Sequence, residues 1–238
     1  SDTMRVGTTS QYAEASFASG EGADNVYVNQ DGSGSAIARL LLEAGSKIER
    51  LSLIDVRASG VYEIPRGIGY ASLVTDDEQL YGTVDINDNS WILKDGSAGT
   101  PNESAVRNVI LNGYAGGDWD GSDAAVRSSM CYGTTLADGV GYAYANQTPR
   151  TSFNGLAISD EDVLMAYTLC GDMNFDFKVD FADLLTIAQK YGTTSEARWF
   201  QGDATYDGAV NFNDLILFAQ NYGKSIPSGP VARGPIHG

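Results

Sequence analysis

Two acidic stretches that begin 31 residues apart, at Asp172 and Asp203, constrain this chain more than any other feature of it. The first carries Asp172, Asn174, Asp176, Lys178, Asp180 and Asp183; the second repeats the register with Asp203, Thr205, Asp207, Ala209, Asn211 and Asp214. Side-chain oxygens stand at positions 1, 3, 5, 9 and 12 of each twelve-residue window, and the main-chain carbonyl of Lys178 or Ala209 would serve position 7. A short loop needs this spacing to surround a hard cation with six to eight oxygens, so the expected ligand is Ca2+, one ion per loop. Each window runs into a segment with apolar residues at helical spacing, Leu184, Leu185, Ile187 and Ala188 in one copy and Leu215, Ile216, Phe218 and Ala219 in the other. Gly192 and Gly223 are placed to stop the two helices. Two merely solvated acidic turns would have no reason to keep a common oxygen register.

The pattern Gly-Asp-x-Asn-x-Asp-x-x-Val-Asp-x-x-Asp-Leu-Leu, followed by Ala-Gln-x-Tyr-Gly, resembles the dockerin-type calcium repeat. That repeat is a loop–helix variant of the EF-hand that lacks the entering helix and occurs in tandem. The resemblance implies a small all-α, dockerin-like pair of calcium loop–helix motifs over residues 169–224. Departures from the pattern are informative. Position 6, where a Gly eases the turn, is Phe177 in the first loop, which must accept strain or open slightly. Thr205 stands where a stronger amide or carboxylate oxygen is usual, and each loop closes with a short Asp, as dockerin repeats generally do. Val179 and Val210, at position 8, are expected to pair across a two-residue β-bridge. Dockerins that grip a cohesin present a polar pair just after position 9; here those places hold Phe181-Ala182 and Phe212-Asn213. The resemblance therefore supports calcium rather than the partner, and both Phe residues are expected to pack between the helices.

Upstream, the chain reads as mainly β. Short apolar or alternating runs at 25–29, 38–43, 48–56, 60–64, 82–86 and 91–94 are bounded by Gly, Asn, Asp and Ser turns, which suits a β-sandwich or a short β-solenoid. One helix is inserted: Thr100-Pro101-Asn102-Glu103 supplies the cap, Ala105, Val106, Val109, Ile110 and Leu111 the apolar stripe, and Gly113 the stop. The expected organisation is a β-rich domain over 1–168 with an N-terminal arm to about 24, the tandem calcium domain over 169–224, and an extended Gly/Pro tail over 225–238. Over residues 84–192 the order of blocks, including Gly116-Gly117-Asp118-Trp119-Asp120-Gly121, Val140-Gly141-Tyr142-Ala143 and Val163 to Leu169 leading into Gly171-Asp172, resembles the terminal module of large bacterial secreted proteins. Those proteins carry autotransporter-associated β-strand repeats and a dockerin-type tail. The resemblance implies a secreted, cell-surface or matrix location.

Composition narrows the function classes. Lys plus Arg number 15 against 31 Asp plus Glu, and the resulting charge of −16 repels phosphate backbones, so nucleic acid is not an expected partner. Seven of the acids lie in the two loops, where two divalent ions would cancel four charges. No apolar stretch approaches the roughly 20 residues of a membrane helix, so membrane insertion is not expected, and the chain reads as a processed product. Cys131 and Cys170 are the only cysteines, and in an oxidising exterior the expectation is a disulfide between them rather than two free thiols.

Catalysis is not expected. His237 is the sole histidine and sits in the Gly/Pro tail, so no nucleophile has a plausible base. Asp76-Asp77-Glu78 and Asp118-x-Asp120 read as solvated turns rather than as carboxylates across a cleft. Trp91, Trp119, Trp199 and most of the 13 tyrosines read as packing residues, with a sugar-stacking platform as the other use of such side chains. The expectation is a non-catalytic structural protein that self-assembles into a filament or layer, its extended termini lying on the next copy, with calcium rigidifying the C-terminal region. The alternative is an adhesion or scaffolding module that binds a polysaccharide or a cohesin-like protein.

Overall fold

The computed structural model describes residues 3–6, 25–28, 36–39, 48–64, 66, 72–94, 103–133 and 137–226. Among these residues the chain is mainly β, with three α-helices. Its short runs become strands because apolar side chains at every second position can all turn inward on one pleated face. In β2 (Asn25–Val28) the buried residues are Val26 and Val28, and in β5 (Gly60–Glu63) they are Gly60 and Tyr62.

Two parallel sheets share the chain alternately. One takes β1 (Thr3–Val6), β2, β4 (Ile48–Val56), β6 (Ser72–Leu80) and β8 (Ser90–Leu93); the other takes β3 (Ala36–Arg39), β5, β7 (Thr83–Asp85) and β9 (Ala125–Arg127). The path is therefore a solenoid's, rung upon rung, and not that of an antiparallel sandwich. Tyr62, Val84 and Val126 are register partners on successive rungs, and all three are buried. Two antiparallel strands then extend the larger sheet from β8: β13 (Val163–Leu169), and beyond it β10 (Asp138–Tyr144). Every residue of β8 and β13 is buried, and Ala105, Val106 and Val109 of α1 (Glu103–Tyr114) line one groove with Trp91, Leu93 and Met165.

Between β10 and β13 a two-residue hairpin joins β11 (Ser152–Phe153) to β12 (Leu156–Ala157). Its tip is Asn154-Gly155, with φ of 50° and 80°, the positive pair that an Asn-Gly turn supplies. Asn154 donates from Nδ2 to Ser72 Oγ at 3.0 Å and to Ser90 Oγ at 2.9 Å, tying the tip to the solenoid.

Several expectations are corrected. Asp76-Asp77-Glu78 is not a turn; it lies inside β6, which pairs with both β4 and β8. Gly113 does not stop α1, which runs on through Tyr114. A Cβ at Gly113 would come within 2.0 Å of the Val126 carbonyl oxygen, so this glycine lets the helix backbone touch β9. Cys131 and Cys170 form no disulfide and are both buried thiols. The three tryptophans are 0–1% exposed, which closes the sugar-platform reading for them. The cap residues 100–102, most of the arm, and the tail beyond 226 with His237 lie outside the described residues. No described helix is long and apolar enough to cross a membrane.

Candidate metal centre

The two acidic loops share one backbone conformation, written in residues that have to turn the wrong way for an L-amino acid. The Gly just before position 1 has φ 111° (Gly171) and 112° (Gly202), position 4 has 59° (Phe175) and 60° (Tyr206), and position 6 has 64° (Phe177) and 83° (Gly208). Phe177 therefore accepts the strain instead of opening the loop, at a cost of about 1–2 kcal/mol. Burial of its ring, 5.6 Å from that of Phe153, offsets this.

Local hydrogen bonds aim the carboxylates. Asp172 accepts Asp176 N on Oδ1 and Phe177 N on Oδ2, each at 3.1 Å. Position 9 caps the helix that follows, and position 12 is its third residue. Asp180 accepts Ala182 N at 2.8 Å, and Asp183 Oδ2 accepts Asp180 N at 2.9 Å, opening α2 (Phe181–Lys190). In the second copy Asn211 accepts Asn213 N and Asp214 Oδ2 accepts Asn211 N, both at 2.8 Å, opening α3 (Phe212–Asn221). Asn174 and Asp176 accept Asp176 N and Lys178 N, at 2.8 and 3.0 Å, and Asp207 accepts Ala209 N at 2.8 Å. Thr205 is engaged differently, since its hydroxyl donates to Asp214 Oδ1 at 2.9 Å.

The electrostatics are those of buried, closely grouped carboxylates. Asp172, Asp183, Asp203 and Asp214 are 0–1% exposed. Burial pushes Asp172 up to about 7, with Asp183 and Asp176 adding like-charge repulsion. Burial likewise raises Asp183 to about 6 and Asp203 to about 7. Among the described residues the only ion pair within 4 Å to a loop carboxylate joins Arg107 Nη2 and Asp203 Oδ2, at 3.9 Å. Buried carboxylates that face one another are costly until a cation joins them, and the inward oxygens are the hard donors Ca2+ prefers. The residues thus fit the ion. Among the described residues no three His, Cys, Asp or Glu side chains form a metal-holding group alone; a loop of this kind also draws on amide, hydroxyl and main-chain oxygens.

Two expectations about this region fail. Val179 and Val210 do not pair with each other. Each pairs crosswise with the chain leaving the other loop's helix: Val179 with Gly223 and Lys224, at 2.8 and 3.0 Å, and Val210 with Gly192 and Thr193, both at 2.9 Å. The two copies are locked just the same, through helix exits. Phe181 and Phe212 do not pack between the helices but are 66% and 62% exposed. Ile187, Leu217 and Phe218 fill the interior of that region instead.

Sequence reasoning missed what holds the loops from behind. Phe175 and Tyr206, the two position-4 residues, are buried, and the Tyr206 hydroxyl donates to the Val140 carbonyl of β10 at 2.6 Å. Trp199 donates from Nε1 to the Asp172 carbonyl at 2.8 Å and lies over β10, where Gly141 leaves room for it. Thr168 of β13 donates its hydroxyl to Asp172 Oδ2 at 2.5 Å. Asn221 donates to the carbonyls of Ala137 and Cys170, at 2.7 and 2.8 Å. The loops thus sit on the outer strands of the large sheet, so their geometry is set by it. The one hint in sequence was the aromatic at position 4 of both copies. No protein-family model, curated protein or solved structure matches the chain.

Proposed function

We propose that this chain is a calcium-binding, non-catalytic structural protein of the cell surface or extracellular matrix. In this reading residues 169–224 are a dockerin-like tandem pair, and two Ca2+ ions stiffen its seat on the β-rich part. The ligands are Asp172, Asn174, Asp176, the Lys178 carbonyl, Asp180 and Asp183 in one loop. In the other they are Asp203, Thr205, Asp207, the Ala209 carbonyl, Asn211 and Asp214. The observation that carries the reading is the burial of four carboxylates in two loops of matching backbone, with Arg107 the one described cation within 4 Å of any of them.

Calcium titration of the purified chain tests it. Two ions should bind, with dissociation constants of about 10⁻⁴ to 10⁻³ M. Removing them with chelator should speed amide exchange over 171–223 while residues 48–64 and 72–94 stay protected. A chain that takes up no calcium at 10-millimolar levels, or exchanges identically with and without chelator, would refute the proposal.

An adhesion or scaffolding role is favoured by a separate observation. Among the described residues, six of the eight exposed large apolar side chains lie on or just after α2 and α3: Phe181, Leu185 and Tyr191, and their repeat mates Phe212, Ile216 and Tyr222. Phe181 with Leu185, and Phe212 with Ile216, are spaced four apart and share a helix face, as a protein-docking surface requires.

A further inference from the structure

The two loops match in backbone but not in charge. The first holds four carboxylates, Asp172, Asp176, Asp180 and Asp183, whereas the second holds three, with the neutral Asn211 at position 9. Ligand charge is a principal determinant of calcium affinity in loops of this design. The cations nearby differ as well. Lys178 belongs to the first loop, but its side chain is exposed and screened by water. Arg150 approaches that loop through the Asn174 carbonyl, at 3.3 Å.

Arg107 is placed otherwise. It projects from α1, which packs against the β-rich part of the chain, and its side chain is only 19% exposed. One guanidinium nitrogen donates to the Tyr206 carbonyl at 3.3 Å and stands 3.9 Å from Asp203 Oδ2. The same nitrogen would lie 3.5 Å from a Cβ at Gly208. Its Nε is buried without a hydrogen-bond acceptor. A guanidinium held this close to position 1, with one of its own donors unanswered, serves the second loop mainly as a fixed positive charge.

We infer that the two loops are unequal calcium sites that fill in order, 172–183 first, and that Arg107 is the positioning residue that keeps the second weak. The inference rests on the calcium reading above. An ion bound to Asp203 would sit several ångströms from the guanidinium, and repulsion between a divalent and a monovalent cation at that range lowers affinity by about tenfold even at the dielectric constant of water. The strain at Phe177 does not reverse the order, because the fold already holds that residue at φ 64°. Loading the second loop also weakens the attraction between Asp203 and α1, which couples the later ion to the seating of that helix.

Calcium titration by calorimetry on the full chain, with amide exchange read at each step, decides the matter. In the wild-type chain the first equivalent should protect 172–183 and the second 203–214. Arg107→Gln should raise the affinity of the second step by about tenfold and leave the first unchanged, whereas Arg107→Lys, which keeps the charge, should stay near wild type. Simultaneous protection of both loops, or protection of 203–214 first, overturns the inference without recourse to a variant. Unchanged or weakened second-step binding in Arg107→Gln also overturns it, the latter by making Arg107 a prop for the loop. If the wild-type chain binds no calcium at all, the calcium reading itself has failed; two ions bound with no ordering sinks this inference alone.

Discussion

Gly139 and Gly141 lie two residues apart on β10 under the same aromatic cluster, yet an added methyl group meets very different surroundings at each. At Gly141 the Cβ would fall 2.7 Å from Trp199 Nε1, 2.9 Å from its Cε2 and 3.0 Å from Phe175 Cζ. The indole is held by its bond to the Asp172 carbonyl, so it cannot yield without losing that bond. Gly141→Ala should therefore cost about 1–3 kcal/mol from overpacking, with about 1–3 kcal/mol more if the buried N–H is left unanswered. At Gly139 the nearest atoms are the Tyr206 hydroxyl at 3.3 Å and Cys170 Sγ and Trp199 Cη2 at 3.4 Å, which small shifts accommodate. Gly139→Ala should be within about 1 kcal/mol of neutral, helped by the lower entropy of the unfolded chain. Thermal unfolding of both variants reads the contrast, at roughly 2–4 °C per kcal/mol for a chain of this size. A cycle with Trp199→Phe isolates the clash, because the smaller ring should make Gly141→Ala less costly by about 0.5–3 kcal/mol. Equal midpoints for the two glycine variants, or strict additivity with Trp199→Phe, would refute the claim that the sheet seats the first loop through this indole.

Other outcomes follow from the same geometry. Gly113→Ala should destabilise the chain by about 2 kcal/mol or more, since the Val126 carbonyl oxygen at 2.0 Å is main chain and cannot step aside; a midpoint within error of wild type would count against that packing. In chelator, stability should rise as the pH falls from about 8 to about 5. Asp172, Asp203 and Asp183, raised from 3.8 to about 7, 7 and 6, favour the folded state most when protonated and lose that contribution as pH climbs through those values. With calcium present the trend should invert, because protons then compete with the ion; a chelated protein that loses stability over this range contradicts the burial argument. Cys131 and Cys170, buried and with their thiols raised above the ordinary range by burial, should resist a thiol reagent in the folded protein and react as two once it is unfolded. A single mass consistent with a disulfide would contradict the two-thiol arrangement.

Features that rest on short-range chemistry are legible in the residues alone. An oxygen at every second position, an Asp or Asn cap with an acid three residues on, and an Asn-Gly tip act over a handful of residues, and these features can be read in the chain. Strands with alternating apolar residues were legible for the same reason, and β4 was expected over 48–56, where it lies. Only tertiary structure decided where long-range contacts outweigh local preference. Asp76-Asp77-Glu78 looks like a turn, but parallel pairing of Asp77 and Glu78 with Leu53 and Ile54 of β4 holds it in a strand. Gly113 looks like a helix stop, yet β9 needs its missing Cβ. Phe181 and Phe212 look like core, but the crosswise pairing of Val179 and Val210 with the helix exits leaves both rings outside. Thr168, Trp199 and Arg107 carry no local signal at all, and Tyr206 only its aromatic place at position 4. They reach the loops because the sheet and α1 bring them there, and no spacing within the loops records a neighbour that lies far away along the chain.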